Sequence, residues 1–123
     1  MKKPVDGFVV GRLKSIKFAL KGMWLLITTE HSIMVQMVIA ISVCILGFVL
    51  DISRVEWIAQ LLAIGLVLAA EALNTAIEKI ADVVQPNFDP RIGFVKDIAA
   101  GGVTFAAIIA AIIGLVIYLP KFL

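Results

Sequence analysis

Glu71-Ala-Leu-Asn-Thr-Ala-Ile-Glu-Lys-Ile-Ala-Asp82 follows residues 57–70, which are apolar except for Gln60. At ~100° per residue, Glu71, Asn74, Glu78 and Asp82 project at about 0°, −60°, −20° and +20° around a helix, with Thr75 near +40°. Three carboxylates, an amide and a hydroxyl therefore share one stripe, while Ala72, Leu73, Ile77 and Ile80 cover other faces. Carboxylates at the end of an apolar helix are costly in a bilayer, so such a stripe points to function. The plainer alternative is a stripe facing water just past the lipid, but solvation alone does not require the carboxylates to line up.

Composition supports a membrane setting for that helix. A chain of 123 residues is expected to form one domain, here 1–123. With 62% hydrophobic residues and a mean hydropathy of +1.09, it is too apolar for an ordinary water-soluble domain. The lone cysteine, Cys44, lies in an apolar run and offers neither a disulfide nor a cysteine metal site. No compact apolar core ending in a small-residue cleavage site follows the basic N-terminal residues, so no signal peptide is expected.

Around the central stretch the chain reads as all-α, with an amphipathic surface helix and three transmembrane helices. Residues 1–6 are a polar tail. Over residues 7–29, Leu13, Ile16, Leu20, Met23, Trp24 and Ile27 fall within an arc of roughly 100°, with Lys14, Lys17 and Lys21 beside it. That pattern suits a helix lying in the headgroup plane, its lysines toward anionic lipid. Arg12, Ser15 and Ala19 share another face, which could pack closely on a helix or admit a lipid.

Residues 28–32 read as a polar hinge, and residues 33–50 are long enough to span the hydrocarbon core. Residues 51–56 form a polar turn. A second span over 57–84 starts at Trp57, a candidate interfacial anchor, and carries the acidic stripe. Pro86 and Pro90 mark a loop over 85–95. A third span covers 98–119, with Asp97 placed to cap it and Gly101-Gly102 able to admit a neighbouring backbone. Tyr118, Pro120 and Lys121 mark the far interface.

Basic residues set the orientation. Lys2, Lys3, Arg12, Lys14, Lys17 and Lys21 precede the first span, and Lys79, Arg91 and Lys96 follow the stripe, against Arg54 and Lys121 on the other side. The positive-inside rule places the N-terminus, the stripe and the Lys96-Asp97 pair in the cytoplasm. The chemistry gathered there suits phosphoryl transfer at a membrane surface. Glu30 and Glu78 can serve Mg²⁺, which takes hard oxygen ligands and keeps waters. Glu71, nearer the lipid, would be the better base once partly desolvated. Lys96, Arg91 and Arg12 can hold phosphates. No P-loop and no protein-kinase motif set is present, which excludes the common nucleotide-binding folds.

The Glu-x-x-Asn-Thr-Ala-x-Glu-x-x-x-Asp core over 71–82, with Lys96-Asp97 fourteen residues on, resembles the signature of the small bacterial diacylglycerol kinases, a family that includes undecaprenol kinases. The resemblance extends over nearly the whole chain. It implies an ATP- and Mg²⁺-dependent lipid kinase of the bacterial inner membrane, assembled as a homotrimer with each site between subunits. Glu71 would be the general base toward the lipid hydroxyl, and Asn74 would orient base or substrate. Glu30 and Glu78 would hold Mg²⁺. Lys96, Asp97 and the loop residues Asn87, Phe88 and Asp89 would contact nucleotide. Arg12 would meet nucleotide or lipid headgroup, with Ser15, Ala19 and Trp24 on the lipid side. The expected partners are the lipid substrate, the nucleotide and further copies of the chain, with no nucleic acid.

Three departures bear on the lipid. Met34 stands where many relatives carry a basic residue, and Gln36 where they carry glutamate or histidine. His31-Ser32 replaces the Arg-Asn common in the undecaprenol branch. On that ground diacylglycerol is the expected substrate, with undecaprenol as the alternative. Two rival readings use the same stripe: a small proton-coupled transporter, which needs Glu71 near mid-membrane, and a non-catalytic assembly protein, in which the stripe serves helix packing.

Overall fold

The computed structural model describes residues 7–123 as four helices: α1 (Phe8–Thr29), α2 (His31–Val49), α3 (Arg54–Val84) and α4 (Pro90–Phe122). The polar tail over 1–6, with Lys2 and Lys3, lies outside the described residues. The helices α2, α3 and α4 are each long and apolar enough to cross a membrane. At ~1.5 Å per residue the 31 residues of α3 extend about 46 Å, against a hydrocarbon core of about 30 Å. The second span therefore projects well beyond the lipid, and the stripe occupies its C-terminal part.

The polar hinge contracts to a single residue. Only Glu30 leaves helical geometry (φ −102°, ψ 113°), whereas Thr28 and Thr29 complete α1 and His31 and Ser32 open α2. The reason is local. The hydroxyl of Thr28 donates to the Trp24 carbonyl (2.7 Å) and that of Thr29 to the Leu25 carbonyl (2.5 Å), so both are satisfied inside the helix. On either side of the kink, Glu30 N donates to Leu26 O and Met34 N to Glu30 O.

The second span begins before Trp57, at Arg54. Ser53 Oγ accepts from Glu56 N (3.1 Å), and Glu56 Oε1 accepts from Ser53 N (2.9 Å), a reciprocal cap that fixes the first turn. Asp51 takes a positive φ of 51° to make the preceding turn, a conformation that Asp tolerates. Trp57 packs inward: its ring lies 4.8 Å from that of Phe48, and a Cβ at Gly47 would stand 3.0 Å from its edge. Glycine at position 47 is what lets the start of α3 approach α2 so closely.

The third span also starts early. Asp89 Oδ1 accepts from Arg91 N (2.9 Å), and Pro90 occupies the first turn, where its missing N–H costs nothing and its fixed φ suits a helix. The cap expected at Asp97 is therefore made at Asp89, and Asp97 is exposed well inside α4. The connection shrinks to residues 85–89. Pro120 sits within the last turn of α4, which continues to Phe122. Among the described residues, no side chain and no backbone of another helix comes within 4 Å of a Cβ built at Gly101 or Gly102, so no other described helix uses that opening.

The main helix interface is between α3 and α4; α2 packs on α3, and α1 packs on α2. Ala63, Val67, Ala81, Ala106 and Ile117 are buried between them. Toward the start of α3, buried Gln60 accepts from the Tyr118 hydroxyl, which also reaches Val43 O (3.0 Å), while Gln60 Nε2 donates to Val43 O (3.4 Å). Tyr118, expected at the far interface, thus turns inward and joins three helices at one point. Lys121 Nζ reaches Glu56 Oε1 (3.3 Å) and ties the end of α4 to the start of α3. Most remaining large apolar side chains are exposed, as lipid contact requires. Leu13, Ile16, Leu20, Met23 and Trp24 of α1 are among them, an uncovered apolar face of the kind a surface helix offers the bilayer.

Candidate active site

The stripe forms on α3 with a graded exposure. Glu71 is half-buried, Asn74 and Thr75 are buried, and Glu78 and Asp82 are exposed. Counting about 20 residues from Trp57 puts the edge of the hydrocarbon core near Ile77. Glu71 then lies roughly 9 Å inside that edge at ~1.5 Å per residue, and Glu78 and Asp82 lie at or beyond it. Asn74 links the two levels, since its Nδ2 donates to Glu78 Oε1 (3.4 Å). Its Oδ1 is buried without a hydrogen-bond partner among the described residues. A buried amide oxygen left unpaired is costly and marks a place where a donor from outside the chain fits.

Charge gathers around this end of the bundle. The kink at Glu30 turns its carboxylate to α3, where Lys79 Nζ lies 3.1 Å from Oε1. Lys96, from α4, places Nζ 2.7 Å from Asp82 Oδ1 and lies within electrostatic reach of Glu78. Arg91 chelates Asp89, with Nε at 3.2 Å from Oδ1 and Nη2 at 2.8 Å from Oδ2. The guanidinium and then the Arg91 amide hold the Asp89 carboxyl at about 2, below its ordinary 3.8. Asp89 is thereby committed to capping α4. Its neighbours Asn87 and Phe88 are left exposed, Phe88 at 91%.

The expected site residues thus divide. Glu30, Glu71, Asn74, Glu78, Lys96 and the loop around Asn87 converge at one end of the α3–α4 pair. Arg12, Ser15, Ala19 and Trp24 remain on α1, which packs on α2, and Ser15 spends its hydroxyl on the Gly11 carbonyl (2.9 Å). Asp97 is exposed on α4. Lys79 is the residue that sequence reasoning left out: at ~100° per residue it projects near +80°, flanking the stripe. The available signal was its charge, opposite to that of Glu30.

Among the described residues, no three His, Cys, Asp or Glu side chains converge to hold a metal by themselves. That donor set suits a cation bound through one or two carboxylates and completed by substrate phosphates, the usual manner of Mg²⁺. The ammonium of Lys79 on Glu30 shows that this carboxylate already receives a cation. Between α2, α3 and α4, an apolar cavity of about 480 Å³ extends from Gln36 past Ala40, Val67 and Ala111 to Tyr118. Its lining on α3 runs from Gln60 to Leu68, stops one turn short of Glu71 and includes no charged residue.

The profile of the prokaryotic diacylglycerol kinase family matches residues 17–118, which hold every candidate above except Arg12 and Ser15. Over 108 residues the chain is 40% identical to an undecaprenol kinase from Bacillus subtilis, covering 88% of each chain. It is also 30% identical over 112 residues to a diacylglycerol kinase from Synechocystis sp., covering 90% of this chain and 64% of that relative. These matches and the three long apolar helices agree on a membrane-embedded phosphotransferase, and the chain belongs to the prokaryotic diacylglycerol kinase family.

Proposed function

We propose that this single-domain protein phosphorylates undecaprenol with ATP at the cytoplasmic face of the bacterial inner membrane. The observation that carries the substrate is the 40% identity to an undecaprenol kinase along 88% of both chains. The sequence-based preference for diacylglycerol rested on His31-Ser32 and the neighbouring wall of α2. His31 and Ser32 are exposed at the start of α2, and two surface residues weigh less than identity spread along nearly the whole chain. Diacylglycerol stays as the second reading, favoured by the family's description and the Synechocystis relative.

In the proposed reaction the lipid hydroxyl oxygen bonds to the γ-phosphorus as the bond to the bridging oxygen of ADP breaks. Glu71 takes the hydroxyl proton. Its half-buried place on α3, inside the hydrocarbon edge, suits a base that meets a lipid alcohol. Asn74, fixed between Glu71 and Glu78 by its bond to Glu78, positions the substrate through its unpartnered Oδ1. Glu30 and Glu78 would hold Mg²⁺, which when bound neutralises charge on the nucleotide phosphates. Lys96 and Asp97 contact the nucleotide, with Asn87 and the exposed ring of Phe88, on a loop shaped by Asp89. Arg12, Ser15, Ala19 and Trp24 face lipid, with Arg12 also able to reach phosphate. A homotrimer would enclose two substrates that one chain with three spans has little surface to cover.

Offering equal amounts of undecaprenol and diacylglycerol with ATP and Mg²⁺ in mixed micelles tests the substrate. Undecaprenyl phosphate is the expected main product, and a predominance of phosphatidic acid would reverse the assignment.

A further inference from the structure

The pairing of Glu30 with Lys79 carries a consequence for metal binding. Glu30 is the one non-helical residue between α1 and α2, so its carboxylate direction is not set by a helix on either side. Its side chain is 23% exposed, whereas that of Lys79 is 69% exposed. The carboxylate is thus largely enclosed while the ammonium reaches it from the solvent side. One residue before Lys79 on α3 stands Glu78, and one turn earlier stands buried Asn74 with its unpaired oxygen. Glu30 therefore meets α3 at the residue next to Glu78, about one turn from the orphaned amide oxygen of Asn74.

We propose that Lys79 is a positioning residue of the cation site. Its ammonium stands in for the divalent ion on Glu30, holds that carboxylate against α3, and is displaced when the ion binds. This rests on the reading of Glu30 and Glu78 as the metal-holding pair. Lys79 is the exposed partner of the pair, so its single charge on a flexible stem yields readily to a doubly charged ion. The displaced ammonium remains beside the site, free to meet the phosphates that arrive with the ion. Lys79 accordingly lowers affinity for a bare cation while keeping Glu30 oriented for a cation that comes with nucleotide.

Mn²⁺ binding to purified protein without nucleotide, followed by electron paramagnetic resonance, separates these ideas without an activity assay. Removing the charge in Lys79→Met is expected to tighten Mn²⁺ binding on the order of tenfold, as loss of one positive charge about 5 Å from a divalent ion implies. Lys79→Arg, which keeps the charge, is expected to bind Mn²⁺ as the wild type does. Glu30→Gln is expected to weaken binding in either background. If Glu30→Gln weakens binding but Lys79→Met binds no tighter than wild type, the stand-in role is overturned and the metal reading stands. Binding indifferent to Glu30→Gln, or absent from wild type and Lys79→Met alike, overturns the stand-in role together with the assignment of Glu30.

Discussion

Lys96 Nζ lies 2.7 Å from Asp82 Oδ1, joining the end of α3 to the first turns of α4 across fourteen residues of sequence. The intervening connection is only residues 85–89, so this pair closes the loop that carries Asn87 and Phe88. It also orients a cation beside Glu78, where nucleotide phosphates are proposed to arrive.

Lys96→Met should therefore raise the KM for ATP by roughly tenfold or more, the cost of one charge-assisted hydrogen bond, with a smaller effect on the KM for lipid. Steady-state kinetics with each substrate varied in turn make the comparison. Equal effects on the two KM values would remove Lys96 from the nucleotide side.

Glu78→Gln should raise the Mg²⁺ concentration needed for half-maximal turnover on the order of tenfold or more. The effect should appear as a shifted Mg²⁺ titration that high Mg²⁺ partly overcomes. An unshifted titration would assign the cation to another set of ligands.

Acid should loosen the start of α4 at a defined point. The Asp89 carboxyl is held at about 2 in the folded chain and has an ordinary value of 3.8, so the folded state binds fewer protons between those values. Its contribution is complete above the ordinary value and is lost as pH falls through about 2. The amide resonance of Arg91, followed by NMR, should titrate near the lower value. A midpoint at the ordinary carboxylate value would mean that the cap is not populated in solution.

Tyr118→Phe removes the hydroxyl that joins Gln60 and Val43 O, while Gln60 stays buried and keeps its Nε2 contact. The expected loss is about 0.6 kcal/mol, typical of interhelical hydrogen bonds within membranes. Unfolding in mixed detergent should register it, with Mg²⁺ dependence unchanged because the cluster lies toward the opposite end of α3. Unchanged stability would show that the cluster is replaceable by packing alone.

The helices were legible because length and hydropathy decide membrane spans: no soluble core explains the three apolar runs. Their ends were less so, because capping depends on which of several competent side chains wins. Asp89 followed by Pro90 outcompetes Asp97, and Ser53-Arg-Val-Glu56 is a reciprocal cap whose pattern was present in the sequence. Thr28 and Thr29 read as hinge residues because they are polar, yet their hydroxyls bond within α1. The stripe from Glu71 to Asp82 follows from helical spacing alone. Lys79 on Glu30 and Tyr118 on Gln60 do not, since they join positions whose distance is set only when α2, α3 and α4 pack.

In the proposed reaction everything turns on the Glu71 carboxylate, which activates the lipid hydroxyl toward ATP. The direct test is transfer of label from ATP, radiolabelled in its γ-phosphate, to extracted lipid by wild-type protein and by Glu71→Gln. Labelled undecaprenyl phosphate is expected from the wild type, with the rate roughly 10²–10⁴-fold lower for Glu71→Gln in a sample of unchanged helical content. Label transfer by Glu71→Gln near the wild-type rate would remove Glu71 as the base, and no labelled lipid from folded wild-type protein would rule out the lipid kinase reaction.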